Sequence, residues 1–273
     1  MSSQQSFAEF ELAGWEDAST AAVYDQQFSR VTTQSAEALL DDAGVGTGSR
    51  VLDVATGAGY VAAAAARRGA LPVGLDFSAT QVGLARERNP SIRFEHGPAE
   101  ALPFEPAAFD AVVNAFGMCH VSDPDLALRE AFRVLKPGGK VAFAVWDAPS
   151  RALAFGVLYG AIQAHGVADV GLPPGPNFFL FSDPGQCSKA LLAAGVESPS
   201  FRQVPSLLHL AEPDRLLDMV LQGTVRAAAT LRAQSPQALA AIRQAVRQSL
   251  SAFEKADGFT LPMPAVVAAA TKP

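Results

Sequence analysis

The chain has 273 residues, 49% hydrophobic and 18% charged, with 21 Lys and Arg against 27 Asp and Glu for a formal net charge of −6. This composition buries a large core and excludes a chain disordered throughout, and the length suits one large α/β domain or two small ones. The acidic balance argues against a nucleic-acid partner, which would need a basic face to displace phosphate counterions.

Met1 to Gly14 is polar and acidic and lacks the basic-then-apolar pattern of a secretory leader. The longest apolar run, Tyr60 to Ala66, is far too short to span a bilayer. A soluble cytoplasmic protein without membrane insertion is therefore expected, and a homodimer is compatible with the sequence. Cys119 and Cys187 cannot make a disulfide framework, and neither has a Cys or His neighbour at metal-ligand spacing, so no metal site is expected.

Residues 1–45 read as helices that end at Asp41-Asp42-Ala43-Gly44. From residue 50 to 146 strand-like and helix-like segments alternate. Val51 to Val54 is a short apolar strand, followed by Thr56-Gly57-Ala58-Gly59 and an Ala-rich helix, Val61 to Arg68, which Gly69 stops. Leu71 to Leu75 is a second strand, and Ser78 caps a helix that Asn89-Pro90 terminates. Ile92 to Glu95 and Phe109 to Phe116 are the third and fourth strands. Ser122-Asp123-Pro124 opens a helix to about Leu135, Lys136-Pro137-Gly138-Gly139 breaks it, and Lys140 to Trp146 is a fifth strand. Continuous apolar strands separated by helices predict a parallel sheet covered on both faces.

Residues 148–182, rich in Gly, Pro and Phe, read as an inserted lid. A helix over Pro184–Gly195 and a strand over Phe201–Leu210 follow, then amphipathic helices over 213–231 and 236–255 and a strand-like tail from Phe259. The expectation is a single domain, 1–273: a helical cap (1–45), a cofactor-binding core (50–146) and helical or lid insertions (148–182 and 211–257).

Gly57-x-Gly59-x-x-Ala62, with Asp76 further on, fits a dinucleotide fingerprint and hence an NAD-dependent oxidoreductase. A tight turn holding no ligand is the plainer alternative. Asp53 discriminates. A carboxylate ending the first strand stands badly beside a diphosphate in a partly desolvated cleft, but well beside the sulfonium and ammonium of S-adenosylmethionine. The charge argument favours that ligand over NAD, with the glycines serving close backbone approach.

At this point the sequence resembles a family. Val51 to Ala62 is similar to the first motif of class I S-adenosylmethionine-dependent methyltransferases, especially the ubiquinone/menaquinone-biosynthesis type, whose loop tolerates an alanine such as Ala55. Gly74-Leu75-Asp76-Phe77-Ser78, Gly97 to Phe104, and Phe109 to Gly139 resemble its later motifs in order. The resemblance implies a doubly wound α/β fold with a mostly parallel seven-stranded sheet, its last strands at Phe201–Leu210 and Phe259–Val267. It implies that Asp76 holds both ribose hydroxyls. The loop at Gly97 departs from the family pattern, with Pro98 where an acid usually reads adenine, so Ala99 and Glu100 are expected to take that duty and Phe77 to pack on the ring.

The candidate cofactor residues are thus Asp53, Thr56, Gly57, Ala58, Gly59, Asp76, Phe77, Gln81, Pro98, Ala99, Glu100, Asn114 and Phe116, with Thr33 toward the methionine carboxylate. Methyl transfer needs alignment and a dry pocket more than a triad or metal. His120, after the fourth strand, is the candidate base, with loop positioning as the alternative. Trp15, Tyr24, Phe28 and Trp146 are candidate substrate residues, the first three equally readable as core. Phe155, Leu158, Tyr159, Phe178, Phe179 and Phe181 read as core aromatics and aliphatics of the lid, or as a pocket for an apolar or aromatic acceptor. The expected function is methyl transfer to such a small acceptor. The alternatives are a same-fold enzyme using the cofactor without transfer, as in a cyclisation, and the NAD enzyme.

Overall fold

A computed structural model describes residues 6–273, so residues 1–5 of the expected N-terminal cap lie outside the described residues. Its strands in chain order are β1 (Arg50–Val54), β2 (Leu71–Asp76), β3 (Arg93–His96), β4 (Phe109–Ala115), β5 (Leu135–Trp146), β6 (Glu197–Val204), β7 (Leu207–Leu210), β8 (Glu254–Lys255), β9 (Gly258–Pro262) and β10 (Ala265–Thr271). Two compact units result. One comprises Thr32–Trp146, Gly175–Val204 and Ala265–Pro273, and the other the chain up to Val31, Asp147–Pro174 and Pro205–Pro264.

The first unit is an α/β fold on a seven-stranded sheet of order β3-β2-β1-β4-β5-β10-β6, parallel except for β10. The inner strands are buried on both faces, which is why Leu52, Val112, Val113 and Phe143 sit in continuous apolar runs. Ser78 caps the helix Ala79–Arg88 by accepting the Gln81 N–H at 3.2 Å, and Asp123 caps Pro124–Val134 by accepting the Leu126 N–H at 2.9 Å. Leu128, Ala131, Leu135, Phe181 and Leu191 close the core over β4 and β5. Successive strands run outward from β1 in one direction and from β4 in the other. The carboxyl ends of β1 and β4 therefore flank the topological switch point, where ligands bind in open α/β sheets.

The second unit holds the helices Phe7–Glu16, Ala18–Val23, Leu153–His165, Asp214–Gly223, Arg226–Arg232 and Pro236–Leu250, and a three-stranded antiparallel sheet of order β7-β9-β8. Leu153–His165 packs on Pro236–Leu250, burying Leu158, Ile162, Ile242 and Val246. Arg243 pairs with Asp214 and Asp218, and Arg247 with Asp214, so these arginines lock helices together.

The helix expected over 236–255 ends at Leu250, and Glu254–Lys255 is the short strand β8; three further expected boundaries change. The strand expected over Phe201–Leu210 is two strands in different sheets, because Pro205 has no N–H to extend a ladder. The strand expected over Phe259–Val267 divides likewise at Met263-Pro264: Phe259 belongs to β9, and the seventh strand of the large sheet is Ala265–Thr271. The helix expected over 213–231 is interrupted after Gly223, where Thr224 is extended at φ −131°, ψ 161°. In addition, β5 begins at Leu135, five residues ahead of the expected strand. Gly138 N–H and Gly139 O bond to Lys272 and hold the Pro-Gly-Gly segment in place.

Candidate functional site

The loop after β1 is built around Asp53. This side chain is 1% exposed, and its Oδ2 accepts the Thr56 hydroxyl at 2.6 Å and the Ala62 N–H at 3.0 Å. One carboxylate oxygen thus joins the loop to the first turn of the helix Tyr60–Arg67. Its other oxygen, Oδ1, is equally buried and has no hydrogen-bond partner. Burial pushes the Asp53 carboxyl up to about 7, against the Thr56 and Ala62 bonds, with the nearby Asp76 charge adding to the rise. Gly59 opens the helix in the left-handed region, at φ +82°, and a Cβ there would lie 2.9 Å from Asn89 Nδ2 and 3.0 Å from the Phe94 ring.

Asp76 ends β2 and is 3% exposed. Its Oδ2 accepts the Gly57 N–H at 2.8 Å and its Oδ1 the Ser78 N–H at 3.0 Å. Burial pushes this carboxyl up to about 6, while its two N–H bonds and the His120 and His96 rings draw it down. Each oxygen keeps a second lone pair for an outside donor. Next to it, Phe77 is half-buried, and its carbonyl accepts from His96 Nε2 at 2.9 Å. Gln81 is buried one turn into the following helix, with Oε1 3.8 Å from the ideal Cβ position of Gly57.

In the third loop Pro98 is exposed, Ala99 buried and Glu100 half-buried. Glu100 Oε1 accepts from Ser122 N, Ser122 Oγ and Asp123 N at 3.0, 2.7 and 3.3 Å, tying this loop to the start of the helix Pro124–Val134.

The loop after β4 is the other wall. Asn114 is buried and spends its amide on the backbone: Nδ2 donates to Val54 O at 2.9 Å, and Oδ1 accepts from Gly117 N and Met118 N. Phe116 takes φ +60° and packs its ring 4.2 Å from Trp146, both buried. A Cβ on Gly117 would lie 2.4 Å from the Cβ of Ala55, itself at φ +54°, and 2.6 Å from Asn114 Nδ2. The loops after β1 and β4 touch here, which requires a glycine. Gly117→Ala is expected to cost about 1–3 kcal/mol through overpacking. Denaturant titration checks this: the midpoint should fall, and adding Ala55→Gly should restore part of it. An unchanged midpoint would contradict the contact.

His120 is half-buried at the end of this loop, with Phe178 edge-on at 5.8 Å between ring centroids. Thr33 lies half-buried in a 3-10 turn, Thr33–Ser35, in the same unit. The structure therefore brings the candidates on the loops after β1, β2 and β4 to one sheet end. Trp15, Tyr24 and Phe28 belong to the other unit and form their own cluster there. Trp15 is edge-on to Tyr24 at 5.1 Å, and Tyr24 stacks on Phe28 at 5.3 Å through the π-helical turn Tyr24–Phe28. The lid aromatics also part company: Phe155 and Tyr159 stack in that unit, while Phe178, Phe179 and Phe181 are in the sheet unit. Among the described residues no group of three or more His, Cys, Asp or Glu is placed to hold a metal ion, and no helix is long and apolar enough to cross a membrane.

Sequence reasoning missed the loop-holding role of Thr56, the glycine required at 117 and the pairing of Phe178 with His120. A hydroxyl three residues beyond a strand-ending Asp was a usable signal for the first, whereas the other two depend on long-range contact.

The family model described as "Methyltransferase domain" matches residues 52–143. The match covers about a third of the chain and lies within the sheet unit. Over 112 residues the chain is 43% identical to a demethylmenaquinone methyltransferase of Renibacterium salmoninarum, covering 41% of this chain and 47% of that protein. It is 42% identical over 111 residues to a ubiquinone/menaquinone biosynthesis C-methyltransferase of Geobacter sulfurreducens, covering 37% and 43%. The chain thus spans about half the length of the curated relatives it matches. Among solved structures it is similar in fold to a phosphoethanolamine N-methyltransferase of Haemonchus contortus in complex with S-adenosyl-L-methionine. The TM-score is 0.60 at 21% identity, covering 99% of this chain and 61% of that one. The seven-stranded sheet and the family resemblance read from the sequence agree with these findings.

Proposed function

We propose that the protein transfers a methyl group from S-adenosylmethionine to a small apolar or aromatic acceptor. The observation that carries this reading is the pair of buried carboxylates at the glycine loop, Asp53 and Asp76, the first with an unpartnered oxygen. Two acids there suit a cationic nucleoside with free ribose hydroxyls and repel a diphosphate. Calorimetry with S-adenosylhomocysteine and with NAD tests it: binding of the first alone is expected, and binding of NAD alone would reverse the assignment.

In this reading Asp76 holds the ribose, and the loop Thr56, Gly57, Ala58 and Gly59, supported by Asp53, approaches the amino-acid end together with Thr33. Phe77, Gln81, Pro98, Ala99 and Glu100 surround the base. Asn114 and Phe116 shape the wall behind it through the backbone bonds and ring contact described above. The bound cofactor supplies a methyl group on a positively charged sulfur, which leaves as a neutral thioether. What remains for the chain is alignment, exclusion of water and removal of any proton the acceptor must lose. An imidazole nitrogen of His120 takes that proton, and Trp146 lines the acceptor space. The demethylmenaquinone methyltransferase relatives make a reduced quinone ring the first acceptor to try. A small acceptor also agrees with the net charge of −6, which disfavours nucleic acid. A cytoplasmic location goes with it, and a homodimer remains compatible.

His120→Ala is expected to lower kcat by about 10²–10⁴, with S-adenosylhomocysteine affinity within a few-fold of wild type. Single-turnover assays with an active acceptor check the split, and unchanged turnover would leave His120 a positioning residue only.

A further inference from the structure

The aromatics Phe178, Phe179 and Phe181 follow one another closely in sequence but have different surroundings. Phe181 is buried in the sheet core, 5.4 Å from Phe143. Phe178 and Phe179 are half-buried, with ring centroids 5.0 Å apart at 75°. Their turn is fixed locally: Asn177 Oδ1 accepts the Phe179 N–H at 2.9 Å, and the Asn177 carbonyl accepts the Leu180 N–H at 2.9 Å. With Phe181 as an anchor on one side and the Asn177 turn on the other, the backbone carrying Phe178 is held at both ends, and its ring rests against Phe179. The Phe178 ring is presented to His120, at 5.8 Å and 77° between planes, and the His120 ring is near enough to Asp76 to influence its charge. An aromatic ring therefore stands beside the candidate base, at the same sheet end as the ribose acid.

Resting on the reading above, we infer that Phe178 is a specificity-determining residue, whose ring forms the wall that favours a planar aromatic acceptor over an aliphatic one of equal bulk. Ring-to-ring contact adds a geometric preference to apolar burial, because the ring edge and face carry opposite partial charge. A preformed ring also gives this preference without ordering a flexible chain on binding.

The test uses the full chain saturated with S-adenosylhomocysteine and 2-naphthol as the probe, titrated by fluorescence. Wild type is expected to bind the probe. Phe178→Leu, which keeps apolar bulk and removes the ring, is expected to weaken it about fivefold. Phe178→Ala is expected to weaken it further and Phe178→Tyr to retain it, with S-adenosylhomocysteine affinity unchanged throughout. Probe affinity in the leucine variant equal to wild type overturns the inference, as does an equal loss of S-adenosylhomocysteine affinity, or a cofactor-loaded wild type that binds no 2-naphthol. A wild type that binds no S-adenosylhomocysteine at all overturns the methyltransferase reading itself, and the inference with it.

Discussion

Asp76→Ala is expected to reduce S-adenosylhomocysteine affinity by at least 100-fold. Two hydroxyls donating to one carboxylate make charge-assisted bonds worth about 1.5–3 kcal/mol each, and the pair is lost together. The site is built for this load, since the carboxylate is already oriented by the Gly57 and Ser78 N–H groups and needs no reordering when a ligand arrives. Alanine also strands those two N–H groups, so a fold defect must be separated from a binding defect. Asp76→Asn separates them: its carbonyl still accepts one N–H, while its amide can no longer accept from both hydroxyls. Thermal unfolding and calorimetry on both variants give the answer. Affinity within threefold of wild type in the asparagine variant would remove Asp76 from the site. If only the alanine variant loses binding, and loses its fold too, the carboxylate supports the loop and does not contact ligand.

The sheet and the glycine loop were legible because their determinants are local. Val51 to Val54 followed by Gly57 and Gly59 specifies strand, turn and helix within a dozen residues, and Ser78 and Asp123 cap the helices expected of them. What was not legible depends on partners distant in sequence. Nothing in Phe201–Leu210 shows that β6 pairs with β10 while β7 pairs with β9. Pro205 marks a break, but the choice of sheet is made by residues 258–271. The same holds inside the site. In sequence Asp53 reads as a charge facing a ligand, whereas one of its oxygens fastens Thr56 to Ala62. Asn114 and Glu100 look like ligand contacts in sequence, yet their bonds run to the Val54 and Gly117 backbone and to Ser122. Polar residues at strand ends serve loops and ligands alike, and only the geometry separates the two duties.

Asp53 itself carries a prediction with a definite sign. Its carboxyl lies at about 7 in the folded protein against an ordinary value of 3.8, so the native state binds more protons than the unfolded chain between those limits. Stability from this group is therefore full below pH 4 and falls as pH rises toward 7. A rise of about three pH units corresponds to about 4 kcal/mol at most. Asp53→Asn removes the titration at the cost of a buried amide donor, about 1–3 kcal/mol. The expected result is a variant less stable than wild type near pH 4 and gaining on it steadily to pH 8, followed by denaturant unfolding of the ligand-free protein across that range. A stability difference independent of pH would show that the carboxyl is not held protonated. Cofactor binding should run the opposite way. An ammonium or sulfonium nearby favours the charged form, so wild type should bind more tightly as pH rises through 7 and release a proton on binding near pH 6.5, seen as a buffer-dependent heat. The asparagine variant should bind more weakly and release less. The acid that makes the ligand-free loop costly is then the one that makes a cation welcome, and the buried oxygen without a partner is where those two effects meet.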